Sequence, residues 1–205
     1  MFSTSRTGRR PVSAIFVDTP NIVTPKWPAA IDWKRLAQGF LDDKVLVGTD
    51  VIHAAAYAKS SSDATGAANW IDRTFKTFGH HLSYVTDSDV TVMARFDKDI
   101  DALIINDIWK STLAHERSVL ADKGTPYPLH VRHVLVSGDG DYHATYQDLL
   151  EVYKGQLELE VIVYAWKDSL HSKLAEFATE VHYLEDLGPG LMRPRKPQEI
   201  LIAAS

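Results

Sequence analysis

Three short stretches of this chain carry aspartates at spacings that could serve a single chemistry. Ala14-Ile15-Phe16-Val17-Asp18 is an apolar run that ends on a carboxylate and continues Thr19-Pro20-Asn21. His133-Val134-Leu135-Val136 is a second apolar run, continuing Ser137-Gly138-Asp139-Gly140-Asp141-Tyr142. Between them, Phe96-Asp97-Lys98-Asp99-Ile100-Asp101 opens a long helical pattern. In open parallel sheets, functional groups collect where strands end and loops begin, near the point where strand order reverses. Gly138 and Gly140 let the backbone turn sharply, so Asp139 and Asp141 are both expected to point into one cleft. Carboxylates gathered in this way repel, and burial raises their pKa values unless positive charge intervenes. A divalent cation that prefers oxygen, Mg²⁺ or Mn²⁺, is the usual solution. So held, it can activate water and stabilise charge on a phosphate under attack.

Each acidic group also has a plainer explanation. Asp141 can cap the helix that follows it. Asp97 and Asp99 suit the start of a helix, where the dipole favours negative charge, and for these two that reading is preferred. Asp101 is harder to dismiss, because it lies among residues that should face the sheet. Asp107, six residues beyond Asp101, falls on a different helical face and is given little weight. His143 could approach a phosphate but is read as a helix-surface histidine, His171 is open to the same two readings, and His80-His81 are read as strand neighbours that cannot easily share a metal. Trp33 and Trp70 fall on apolar stripes, and Trp27 is read as an anchor in a proline-rich loop beside Asp18.

The elements that must position these groups alternate between strand and helix. Val12 to Val17 predicts a strand, and Thr19 to Pro28, with three prolines, predicts a loop. Asp32 caps a helix to about Leu41, with Trp33, Leu36, Ala37 and Phe40 inward. A second strand lies within Val51 to Ala58, and Lys59 to Thr65 reads as a Ser-rich turn. Ala67 to Phe78 predicts a helix closed by Gly79, followed by a third strand at His81 to Val85. Thr86 to Ser88 reads as a turn, and Val90 to Arg95 as a short additional strand. Ile100 to Leu120 predicts the longest helix, with Ile100, Leu103, Ile104, Ile108 and Leu113 inward. Strand Val131 to Val136, helix Tyr142 to Lys154, strand Leu159 to Tyr164, helix Ser169 to Phe177 and strand Val181 to Leu184 complete the pattern. Such alternation implies a parallel sheet covered on both faces.

The bulk properties set limits. A chain of 205 residues, 45% hydrophobic and 24% charged, can bury one substantial core. It has no cysteine, which excludes disulfides, thiolate zinc sites and cysteine nucleophiles and suits a cytoplasmic setting. Its N-terminus lacks the apolar core of a secretory signal, and no apolar run is long enough to span a membrane. A net charge of −5 argues against non-specific coating of nucleic acid. The basic residues Arg6, Arg9, Arg10, Arg193, Arg195 and Lys196 read as solvated tails. The expected organisation is a basic tail over 1–11, one domain over 12–187 and an extension over 188–205.

The three aspartate segments resemble the signature blocks of NYN domains, nucleases related to PIN domains. The resembled pattern has Asp-Gly-x-Asn after the first strand, Lys-Gly-x-Asp opening a helix, and Ser-Gly-Asp-x-Asp-Phe after a later strand. The blocks occur here in that order, within an architecture spanning Val12 to Leu184. The resemblance implies a three-layer α/β/α sandwich with a mostly parallel central sheet, and metal-dependent endonucleolytic hydrolysis of RNA. It gives Asp18, Asp101, Asp139 and Asp141 the metal-binding and catalytic role, with Asn21, Lys98 and Ser137 toward the substrate. Thr19 and Asp99 stand where the pattern has glycine, and Tyr142 where it has phenylalanine. These departures keep a second reading open, an RNA-binding or regulatory protein with weak or no turnover. A third, a phosphohydrolase of small molecules, is disfavoured because no Gly-x-x-x-x-Gly-Lys-Ser/Thr loop is present. Association into a homo-oligomer is compatible with all three.

Overall fold

Among the described residues, six segments pair as strands: β1 (Val12–Asp18), β2 (Asp50–Lys59), β3 (Met93–Asp97), β4 (Leu129–Val136), β5 (Leu157–Ala165) and β6 (Glu180–Tyr183). The structure, a computed structural model, describes residues 11–22, 31–59, 65–121, 128–188 and 190–191, with 65–72 described as backbone only. Every pairing is parallel, and the strand order is β3-β2-β1-β4-β5-β6. The expected mostly parallel sheet is wholly parallel. Its helices are α1 (Thr19–Ile22), α2 (Trp33–Asp42), α3 (Thr65–Thr86), α4 (Ile100–Ala121), α5 (Tyr142–Tyr153) and α6 (Ser172–Phe177), with a 3₁₀ turn at Leu184–Leu187. No described helix is long and apolar enough to cross a membrane.

Strand alternation divides the core into two layers. Ile15 and Val17 of β1 face α2 and α3, whereas Val12, Ala14 and Phe16 face α4 and α5. The result is a three-layer α/β/α sandwich. Asp32 caps α2 as expected, its Oδ1 accepting from the Arg35 N–H at 3.2 Å.

The structure corrects several sequence expectations. Thr19–Ile22 is a single helical turn rather than loop, and the rest of that stretch, with Trp27, lies outside the described residues. Gly79 does not close a helix, and His81 to Val85 is not a strand. Helix α3 runs through both, keeping Phe75, Phe78 and Leu82 buried at helical spacing, with the two phenylalanines against Trp33. Gly79 serves close approach instead, since a Cβ there would stand 3.0 Å from the Val90 carbonyl oxygen. The left-handed residue that follows the helix is Asp87, at φ 56°. The third strand of the sheet is therefore β3, drawn from the segment read as an additional one. On α4, Leu113 is 38% exposed, and Asp107, Ser111 and Thr112 are buried in its stead. Beyond Gly188, Leu191 is buried against the core and its carbonyl accepts from Asp32 N–H at 2.6 Å. Residues 1–10 and 192–205, which hold the basic tails, lie outside the described residues, as do Ser60 to Ala64 of the Ser-rich turn and the Trp70 side chain.

One buried residue has a consequence for stability. His133 on β4 is fully enclosed, edge-on to Phe16 with ring centroids 5.2 Å apart and 5.7 Å from the Tyr146 ring. Neither of its ring nitrogens has a hydrogen-bond partner among the described residues. Burial, aided by the neighbouring His53, lowers its pKa from 6.5 to about 3. The unfolded chain takes up a proton below 6.5 and the folded chain does not until about 3, so this stability is full above 6.5 and is lost as the pH falls. Between pH 7 and pH 4, wild-type protein should lose about 3 kcal/mol that His133→Leu does not lose. Urea unfolding at both pH values measures this; equal losses in the two proteins would assign the acid sensitivity to other groups.

Candidate functional site

The alternation that builds the core also aims the polar residues at the strand ends. On β1, Ala14 and Phe16 face α4 and α5, so the next residue in step is Asp18. On β2, Ala55 and Tyr57 bring Lys59 to that face, and on β4, Val131 and Leu135 bring Ser137. From β1 the chain moves outward to β2 and β3, then returns to β4 on the other side of β1. The crevice beyond the carboxyl ends of β1 and β4 is therefore where strand order reverses. The first turns of α4 and α5 follow β3 and β4 into it.

A cleft of about 610 Å³ opens there, its lining including Asp18, Asn21, Lys59, Lys98, Asp99, Asp101, Asp139 and Ser169. Asp18 is 3% exposed and held at both oxygens. Its Oδ1 accepts from Asn21 N–H at 3.2 Å, and its Oδ2 lies 2.9 Å from the Ser137 Oγ that donates to it. Asn21 Oδ1 in turn accepts from Gly138 N–H at 2.8 Å, and Ser137 Oγ from Asp139 N–H at 3.2 Å. The ends of β1 and β4 are thus laced through polar groups of the site itself. The Tyr142 hydroxyl lies 3.2 Å from Asp18 Oδ2 and 2.9 Å from Asp101 Oδ1.

The electrostatics follow from this burial. Desolvation pushes the Asp18 carboxyl from 3.8 up to about 6; hydrogen bonds from Ser137 and Asn21 oppose the rise, and the Asp101 charge adds to it. Burial and the two carboxylates hold the Tyr142 hydroxyl well above the usual phenol range, so it stays protonated.

The cleft thus brings together five of the seven residues singled out from the sequence, namely Asp18, Asn21, Lys98, Asp101 and Asp139. Two are placed otherwise. Asp141 is exposed and does not line the cleft. It already has helical backbone angles, makes no side-chain cap, and gives its N–H to Asp139 Oδ1 at 3.0 Å. Ser137 is fully buried, its hydroxyl committed to Asp18 and Asp139 rather than turned to a substrate. The glycines act by closeness rather than by turning. A Cβ on Gly138 would run into the Ser169 carbonyl, and one on Gly140 into the His171 ring; His171 N–H also donates to Gly138 O at 2.9 Å.

Other acidic groups fall where simple helix chemistry puts them. Asp99 Oδ1 accepts from Ala102 N–H, and Asp97 Oδ1 accepts from the Lys98 and Asp99 N–H groups. Asp107 is buried away from this cleft, bonded to the Tyr57 hydroxyl at 3.0 Å and to Arg95. His143 packs edge-on to Phe177, and His171 Nδ1 accepts from Lys173 N–H at the start of α6. Sequence reasoning missed Lys59, placed in a turn although the alternation of β2 leads to it, and the hydroxyl of Tyr142, read as a substitute for phenylalanine.

Among the described residues, no three carboxylates or imidazoles stand already gathered around one point at metal-binding distances. The donor set nonetheless suits a hard divalent cation: all the candidate ligands are oxygens, and the buried Asp18 carboxylate has no cationic group among its hydrogen-bond partners in the described residues.

No family model matches the chain, and no curated protein matches it. Among solved structures, a protein of unknown function from Vibrio parahaemolyticus is similar with a TM-score of 0.60 and 17% identity, over 89% of this chain and 98% of that one. At that identity the likeness concerns the fold, which it shares across nearly the whole length of both chains.

Proposed function

We propose that this chain is a metal-dependent endoribonuclease in which Asp18, Asp101 and Asp139 hold Mg²⁺ or Mn²⁺ and hydrolyse RNA phosphodiester bonds. The observation that carries this reading is the meeting of Asp18, Asp101 and Asp139, the first of them buried, with Asp99, Lys59 and Lys98 in a single cleft at the switch point of a parallel sheet. The likeness of the three aspartate blocks to NYN signatures supports RNA as the substrate class. A cation bound by these oxygens supplies Lewis-acid stabilisation of the phosphate and lowers the pKa of water. The chain's own groups do the rest. Asn21 and Ser137 fix the Asp18 carboxylate, and Lys59 and Lys98, which line the same cleft, offer positive charge to the phosphates of a bound strand. The absence of cysteine suits work in the cytoplasm.

A second reading is favoured by one observation, that Asp141 stands outside the cleft, so only three of the four aspartates matched to the resembled pattern line it. It is an RNA-binding protein of this fold with little or no turnover. Incubation with labelled RNA, DNA and free nucleotides under Mg²⁺, Mn²⁺ or chelator separates the readings. Metal-dependent cuts within RNA support the nuclease, RNA retention without cuts supports the binder, and hydrolysis confined to free nucleotides would contradict both.

Lys59 gives a sharper expectation. Lys59→Gln should raise the KM for RNA with kcat nearly unchanged, and lower the slope of log affinity against log salt by about 0.7–1. A fall in kcat at unchanged KM would show that Lys59 does not grip the bound strand.

A further inference from the structure

We infer that Tyr142 is a positioning residue of this cleft: its hydroxyl, shared between Asp18 and Asp101, sets both carboxylates in the arrangement that receives the cation. The inference rests on the cation-binding reading above. Three separate elements meet at this one oxygen. Asp18 comes from the end of β1, Asp101 from the first turn of α4, and Tyr142 from the first residue of α5. The hydroxyl stands 3.2 Å from Asp18 Oδ2 and 2.9 Å from Asp101 Oδ1.

The two carboxylates depend on it unequally. Asp18 is also held by Ser137 and by the Asn21 N–H. Asp101 is half-buried, and the bond from Tyr142 is the single hydrogen bond to its side chain among the described residues. Without that bond, no hydrogen bond among the described residues orients its carboxylate, and the cation would have to order it as it binds. Hydrogen-bond partners behind a ligating carboxylate act in this way, and their loss typically weakens metal affinity about 10–100-fold. The ring is not what reaches the carboxylates. It is fully buried in the core under α4, and phenylalanine would fill the same socket.

Tyr142→Phe therefore removes the tether and keeps the packing. Tyr164→Phe is a matched control, since Tyr164 is also buried and donates to a carboxylate, Asp43 Oδ2, at 2.7 Å, on the α2 face of the sheet. Mn²⁺ binding to the full chain, followed by the paramagnetic resonance of the free ion, reads the effect directly. Tyr142→Phe should weaken Mn²⁺ binding about 10–100-fold, while Tyr164→Phe leaves it unchanged. Where RNA is cleaved, raising Mn²⁺ should restore most of the rate with KM for RNA unaltered. Equal Mn²⁺ affinity in wild type and Tyr142→Phe overturns the inference and leaves the cation site standing. Equal weakening in both variants also overturns it, because general loosening then explains the loss. A wild-type chain that binds no Mn²⁺ overturns the cation site itself.

Discussion

Asp18→Asn should abolish the proposed RNA cleavage and yet, without metal at pH 7, melt at a higher temperature than wild type. Asp18 is buried, and its folded-state pKa of about 6 stands above the unfolded value of 3.8. Between those values the folded chain binds more protons than the unfolded one, so stability falls as pH rises through the window. At pH 7 the ionised carboxylate has lost about 2–3 kcal/mol relative to its protonated form. Asparagine has no charge to desolvate, and the hydroxyls of Ser137 and Tyr142 can rotate to accept from its amide. The gain should be about 2 kcal/mol, or about 5 °C in melting temperature, and should vanish below pH 4 where wild-type Asp18 is protonated anyway. Cleavage should fall by at least about 10²–10³-fold. Calorimetry across pH 4 to 7 checks the stability half, and a lower melting temperature for the variant at pH 7 would contradict the account of Asp18 as a strained, cation-seeking carboxylate.

Asp139→Asn carries the second large effect, through charge rather than stability. Asp139 lines the cleft and its Oδ1 accepts the Asp141 N–H, a bond that an asparagine oxygen can also accept. The turn should therefore persist, with the circular dichroism spectrum unchanged, while Mg²⁺- or Mn²⁺-dependent cleavage drops about 10²–10³-fold. Asp141→Asn is the instructive comparison. Its carboxylate lies outside the cleft, so cleavage should stay close to wild type. Equal loss in the two variants would return Asp141 to the site and contradict the placement described above.

The contrast between these two aspartates shows how far the sequence could be followed. Asp18 was legible because an apolar run of β1 type fixes where a strand ends, and its last residue must emerge at the carboxyl edge. Asp139 and Asp141 looked equivalent at a spacing of two, but that spacing implies one direction only in extended chain. Here α5 begins at Tyr142, and Asp141 already has helical angles. Lys59 was hidden by a boundary error, since β2 runs one residue further than its apolar stretch. Gly79 misled for a related reason. A glycine after a helical stripe reads as a stop, and only the packed Val90 carbonyl reveals that the space, not the backbone angle, is what matters. The Tyr142 hydroxyl could not have been placed from sequence, because its two partners come from β1 and α4, more than forty residues away in each case.

Diffraction from crystals soaked in Mn²⁺, with an anomalous difference map, puts the central claim to the most direct test. Density bounded by the carboxylates of Asp18, Asp101 and Asp139, lost in Asp139→Asn, is the predicted result. A cleft that stays without density at saturating Mn²⁺, or an ion held only by residues elsewhere on the surface, would contradict it.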